Sequence, residues 1–108
     1  MEPLKFDSNG LLTAVVQDIE SRQVLMVAMM NDEAVRKVLE TRQAYFWSRS
    51  RKKLWHKGES SGSILDVLEI KVDCDRDALL LMVKPRGPAC HTGNTCCFFE
   101  NLGEKYVE

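Results

Sequence analysis

A chain of 108 residues predicts one domain spanning residues 1–108, small enough that a metal or a second subunit commonly supplements its core. Its 15 basic and 16 acidic residues leave a net charge of −1, which argues against a protein dedicated to nucleic acid or to an anionic membrane surface. The start, Met1-Glu2-Pro3-Leu4-Lys5, lacks the basic and apolar regions of a signal peptide, and the longest early apolar run, Val24 to Met30, is too short to span a bilayer. A cytoplasmic location is therefore expected, where clustered cysteines point to metal ligation or catalysis rather than to disulfides.

Leu11 to Ile19 and Val24 to Met30 are apolar runs separated by the short polar Glu20-Ser21-Arg22-Gln23. They predict two strands and a tight turn. Both runs are nearly continuous in apolar residues, which implies strands covered on both faces or central to the sheet. Asn31 has the side chain of a helix N-cap, and Asp32 and Glu33 suit the first turn. Ala34, Val35, Val38 and Leu39 then recur at helical spacing as one buried stripe, in a helix ending near Thr41 or Gln43. Tyr45-Phe46-Trp47 predicts a strand, and Ser48 to Gly62 is polar, basic and irregular. Ile64 to Val72 and Ala78 to Val83 predict two further strands that pair, and Pro85-Arg86-Gly87-Pro88 starts a loop. The fold class is α+β: a strongly bent, mainly antiparallel sheet, a roll or pseudo-barrel, with one main helix near residues 31–42.

The chemistry is concentrated between Asp73 and Phe99, which holds all four cysteines, three alternating aspartates and one of the two histidines. On an extended strand Asp73, Asp75 and Asp77 would share one face, with Cys74 on the other. Three like charges repel unless a cation sits among them, and a hard divalent ion such as Mg²⁺ suits oxygen ligands. The alternative is a solvated acidic turn. The calcium-loop pattern fails, because Ala78 and Lys84 stand where its Gly and Glu are needed.

Cys74, Cys90 and Cys97 offer three thiolates, the number of protein ligands found in catalytic zinc sites with one open position. Cys96 or His91 as a fourth ligand would make the site purely structural. If Cys74 faces away from the aspartates, either there are two separate metal sites or Cys74 reaches cysteines of a second chain. His91, inside this cluster, is a candidate for proton transfer; His56, in the basic loop, reads as a solvated surface residue. The deaminase signature of His-or-Cys-x-Glu with Pro-Cys-x-x-Cys is absent.

The basic stretch Trp47 to Gly62 carries Arg49, Arg51, Lys52, Lys53 and Lys57 between two tryptophans and several serines. Arginine forks and Ser/Gly turns suit phosphates, and the tryptophans can stack a base or anchor the loop. RNA binding is the rival reading; near-neutral net charge favours a small anionic ligand over a polymer.

Trp47-Ser48-Arg49-Ser50-Arg51, Leu54-Trp55, Lys57-Gly58-Glu59, Ser61-Gly62, Asp73-Cys74-Asp75-Arg76-Asp77 and Gly87-Pro88-Ala89-Cys90-His91-Thr92-Gly93 with Cys97-Phe98-Phe99 resemble the phosphoribosyl-AMP cyclohydrolase family over nearly the whole chain. The resemblance implies hydrolytic opening of the adenine ring of 1-(5-phosphoribosyl)-AMP, the third step of histidine biosynthesis, by a monofunctional homodimer. It implies Zn²⁺ on Cys74, Cys90 and Cys97, with Cys74 given across the dimer, and Mg²⁺ on Asp73, Asp75 and Asp77. It also implies proton transfer by His91, and phosphate or base contacts from Trp47, Ser48, Arg49, Arg51, Trp55, Lys57, Ser61 and Gly62. Cys96 stands where such proteins commonly have Ser, and Ser63 and Leu65 where they often carry a polar pair. The competing reading is a non-catalytic, zinc-stabilised module that binds nucleotides or RNA.

Overall fold

The computed structural model describes residues 3–103. The element order is β1 (Leu12–Asp18), β2 (Val24–Met30), α1 (Asp32–Thr41), β3 (Tyr45–Ser48), β4 (Lys53–His56), β5 (Leu65–Val72) and β6 (Ala78–Pro85). The class is α+β with one helix among the described residues. The strands form not one sheet but two: a four-stranded sheet in the order β2-β1-β6-β5 and a separate β3-β4 hairpin. β1 runs parallel to β6, and the other three pairings are antiparallel. A parallel neighbour requires a crossover, and here β2, α1, the β3-β4 hairpin and β5 all intervene.

The helix forms where its caps dictate. Asn31 Oδ1 accepts from the N–H of Ala34 at 2.9 Å, Asp32 and Glu33 occupy the first turn, and Arg42 ends the helix in the left-handed conformation with its N–H on Val38 O. Its buried stripe is narrower than the spacing predicts. Ala34 and Val38 are buried, Val35 is half-buried, and Leu39 is 54% exposed.

The core lies between α1, the β3-β4 hairpin and the sheet. It gathers Leu12, Ala14 and Val16 of β1, Leu25 and Met30 of β2, Phe46 of β3, Leu65 and Val67 of β5, and Leu79, Leu81 and Val83 of β6. The alternation in β1 and β6 follows from the period-2 geometry of strands. β2 departs from the expectation of double coverage. It is an edge strand, and Val24 and Val27 are exposed.

Two further differences bear on the site. The stretch expected to be irregular contains β4, whose Phe46↔Trp55 and Tyr45↔His56 pairings fix the direction of its side chains. The stretch Asp73 to Asp77 is not extended strand but the turn joining β5 to β6. β6 therefore has the acidic turn at its Ala78 end and the cysteine-bearing segment after its Pro85 end.

Candidate active site

The acidic turn is built locally. Asp73 Oδ1 accepts from the backbone N–H groups of Asp77 and Ala78 at 3.0 and 3.1 Å. Arg76 takes positive φ and its N–H closes onto Asp73 O at 3.1 Å. Arg76 Nε donates to Pro3 O at 3.2 Å, fastening the N-terminal segment. One oxygen from each of Asp73, Asp75 and Asp77 lies within 4.8 Å of the others, and all three residues are exposed. The Asp77 carboxyl is raised above its ordinary value by its hydrogen bond to Asp73 and the charge of Asp75. Asp73 is lowered: partial desolvation opposes this, but donation from the N–H groups of Ala78 and Asp77 outweighs it. Three carboxylate oxygens crowded this closely fit a hard divalent ion. The grouping arises from the turn, not from strand alternation, and Cys74 is not segregated on an opposite face. Its Sγ lies 3.8 Å from Asp75 Oδ1, in the same exposed turn.

The other cluster is assembled from distant parts of the chain. After β6, Ala89 and Cys90 donate their N–H groups to Thr95 O and Asn94 O, and Gly93, at φ 91°, returns its N–H to Cys90 O. The N–H of Cys97 donates to Leu25 O at 2.7 Å, which pins the segment to β2. Cys90 is buried, and Thr92 Oγ1 donates to its Sγ at 3.0 Å. The Cys90 thiol is lowered, first by the Thr92 hydroxyl and backbone, then by the side chain of Cys97 and the charge of Lys57. The Cys97 thiol is raised by desolvation and by its interaction with Cys90. The two thiols are therefore close enough to perturb each other, in opposite directions. Soft, mutually close sulfurs beside an ammonium fit zinc.

Cys96 is directed elsewhere: it is 5% exposed, belongs to the core, and its Sγ accepts from Gln23 Nε2 at 3.3 Å. Nor does Cys74 reach the pair within the chain. Leu25 lies at the β1-β2 bulge between the levels of Val16 and Gln17, and so between Leu81 and Met82 of β6, whereas the turn begins beyond Ala78. Three strand residues separate the two levels by roughly 10 Å, while two sulfurs on one zinc lie within about 4.6 Å. Among the described residues, only the aspartates bring three ligand atoms together.

Two cavities adjoin the thiols. One, of about 470 Å³, is lined by the β4 residues with Gly58 to Ser61, Ser63, Cys90 and His91. The second, of about 430 Å³, is lined by Met26, Ser48, Ser50, Ala89 and Cys97 among others. Arg51, Trp55, Lys57 and His91 line both. Of the predicted phosphate and base contacts, Ser48, Arg51, Trp55, Lys57 and Ser61 open on this space. Trp47, Arg49 and Gly62 line neither cavity. Gly62 instead closes the loop, its N–H on Gly58 O at 2.8 Å.

Lys57 stands out physically. It is 6% exposed, the buried charged side chain among the described residues, with its Nζ 5.8 Å from the centre of the Trp55 ring. Its N–H donates to Ala44 O, which holds the strand end in place. Its Nζ faces the Trp55 ring, its charge acts on Cys90 and Cys97, and among the described residues no carboxylate forms a salt bridge with it. The sequence reading places Lys57 among the phosphate-binding cations of the basic stretch, and no local pattern marks its side chain as buried. Lys53 and Ser60, which also line the first cavity, are not among the predicted contacts; Ser63, noted as a replacement for a commonly polar residue, lines it too. His56 is not a solvated residue: its ring stacks on Tyr45 at 4.4 Å and 8°, and Nε2 bonds Gln43 Oε1 at 2.7 Å.

Known proteins share this arrangement of sequence. Residues 26–99, which contain every residue of both cavities and both clusters, match the family model described as phosphoribosyl-AMP cyclohydrolase. A phosphoribosyl-AMP cyclohydrolase of Archaeoglobus fulgidus is 52% identical over 92% of this chain and 92% of its own length. One from Lacticaseibacillus casei is 57% identical over 90% of this chain and 88% of its own. A histidine biosynthesis bifunctional protein of Caldanaerobacter subterraneus is 52% identical over 97% of this chain, which spans only 51% of that longer protein.

Proposed function

The chain belongs to the phosphoribosyl-AMP cyclohydrolase family, and on that premise we propose that it hydrolyses 1-(5-phosphoribosyl)-AMP in histidine biosynthesis, in the cytoplasm, as a zinc-dependent homodimer. The reaction forms a bond from water oxygen to the ring carbon bearing the exocyclic amine. The bond from that carbon to the ring nitrogen carrying the second ribose breaks, and a proton is delivered to that nitrogen.

Cys90 and Cys97, with Cys74 of the partner subunit, would hold Zn²⁺, which supplies Lewis-acid polarisation of the attacking water. The observation that carries this is the incomplete pair: two thiols that open on two adjoining cavities, with the third cysteine exposed at the far end of β6. An apolar groove of about 450 Å³, lined by Leu4, Leu39, Val72, Arg76 and Leu79, adjoins the turn that bears Cys74. A docked second copy would cover that surface and carry Asp73, Asp75 and Asp77 to the rim of the cavities. There those carboxylates would hold Mg²⁺, to orient a phosphate or ribose.

The chain's own residues supply the rest. Trp55, 37% exposed, offers a ring face to the purine. His91 is exposed, faces both cavities and moves the proton at its imidazole nitrogen. Lys57 supplies fixed positive charge where three thiolates would otherwise make the site anionic and the water less acidic.

The non-catalytic module needs a closed four-ligand site, for which Cys96 is poorly placed in the core. The test is hydrolysis of phosphoribosyl-AMP, followed by the absorbance change on ring opening, alongside zinc analysis. Wild-type protein should lose activity in chelator and regain it with Zn²⁺. Full hydrolysis by a zinc-free preparation would refute zinc dependence, and no hydrolysis by the metal-replete protein would refute the activity.

A further inference from the structure

The substrate proposed above carries two phosphorylated ribose arms, one on each side of the ring that opens, and the site has two chambers. Arg51, Trp55, Lys57 and His91 line both and so form the partition between them. Cys90 opens on the first chamber and Cys97 on the second, so the thiols straddle that partition. We propose that the chambers are separate phosphate subsites, one for each arm, with the reacting ring held at the partition. This rests on the reading of the substrate given above.

Each chamber has its own donors. The first has Lys53 and the hydroxyls of Ser60, Ser61 and Ser63, in a loop whose Gly58 and Gly62 take φ values of 84° and 83°. The Gly62 N–H to Gly58 O bond closes that loop. A Cβ on Gly58 would sit 2.3 Å from the Ser63 backbone, so only glycine lets the serines fold in over the chamber. Turns of this kind present hydroxyls and N–H groups to anions. The second chamber has the Ser48 and Ser50 hydroxyls, 3.5 Å apart, beside Arg51. Glu59 is the one carboxylate lining the first chamber, and none lines the second.

The partition is where shared charge is needed. Lys57 is buried there, and no carboxylate forms a salt bridge with it among the described residues. Burying an ammonium without a carboxylate partner is costly, and a dianionic phosphate on either side adds to the nearby thiols in offsetting that cost. One fixed cation thus serves both arms.

The test uses two one-armed probes, AMP and ribose 5-phosphate, with calorimetric titration of the metal-replete full chain. Wild-type protein should bind both at once, saturation with one leaving the other's affinity within about threefold. Ser60→Asp and Ser50→Asp each place a carboxylate at an exposed position of one chamber only. Each should weaken one probe by about tenfold, or about 1.4 kcal/mol, and the other by less than threefold, with the two variants affecting opposite probes. Circular dichroism and melting confirm that both variants fold, and Ser60→Ala and Ser50→Ala replace them if they do not. Mutually exclusive binding, failure of either probe to bind the wild type, or equal weakening of both probes by each variant would overturn the two-subsite arrangement. If the probes separate as expected but phosphoribosyl-AMP is not hydrolysed, the subsites stand and the assigned reaction fails.

Discussion

The two ends of β6 carry clusters of metal-ligand residue types, carboxylates at one and thiols at the other, under opposite physical regimes. At the Ala78 end, Asp73, Asp75 and Asp77 are exposed, lie within five residues of one another and are organised by bonds inside their own turn. Nothing beyond the turn is needed to bring their oxygens together. At the Pro85 end, Cys90 and Cys97 are set by Leu25 on β2, by Lys57 beyond β4 and by Thr92. Yet they supply two ligands where a zinc site needs at least three from protein. The local cluster is complete within one chain, and the long-range cluster is not. Under the proposed assignment, the hard-metal site would be built from one turn, while the soft-metal site would need a second chain.

That contrast gives predictions of graded size. Cys90→Ala or Cys97→Ala should abolish zinc binding and lower kcat/KM on the order of 10³-fold or more, measured by metal analysis and steady-state assay. The same variants should still bind Mg²⁺ at the aspartates. Loss of both metals together would erase the distinction between the two ends. Cys96→Ser should retain zinc, because that sulfur is engaged with Gln23.

Lys57→Met should lower kcat/KM by about 10²-fold while leaving the melting temperature unchanged or higher. A buried charge replaced by an apolar side chain of similar volume is often neutral or stabilising. A Lys57→Met protein that melts much lower, with activity intact, would make Lys57 structural. Gly58→Ala should destabilise the fold by about 1–3 kcal/mol, read from denaturant unfolding, since the new Cβ meets the Ser63 backbone at a positive φ.

The smallest effect concerns pH. Asp77 has a raised value in the folded chain, above the ordinary 3.9 or so. Its contribution to stability is therefore present at low pH and lost as pH rises through that raised value. Metal-free protein should show this loss in melting scans, and Mg²⁺ should remove it by replacing the proton. An identical pH profile with and without Mg²⁺ would show that the aspartates do not hold the ion.

The sequence was most informative where structure is local. The Asn31 cap, the β1-β2 and β5-β6 hairpins and the grouping of the aspartates follow from neighbours a few residues apart. What it hid depends on distant packing. β4 leaves little strand signal because Lys53-Leu54-Trp55-His56 is short, polar and paired only with β3. Strand alternation suggested the right carboxylate cluster for the wrong reason, because the β5-β6 turn falls at Asp73 to Asp77. The exposure of Leu39, the edge position of β2 and the inward aim of Lys57 all depend on which surfaces the rest of the chain leaves uncovered.

Whether a second chain completes the thiol site can be measured by mixing two inactive proteins, Cys74→Ala and the double variant Cys90→Ala/Cys97→Ala. If Cys74 is given across a two-fold dimer, each mixed dimer regains one intact site. Random exchange of subunits should then restore about a quarter of wild-type activity and zinc content. If mixing restores neither, although subunit exchange is shown to occur, Cys74 does not complete the site of a partner.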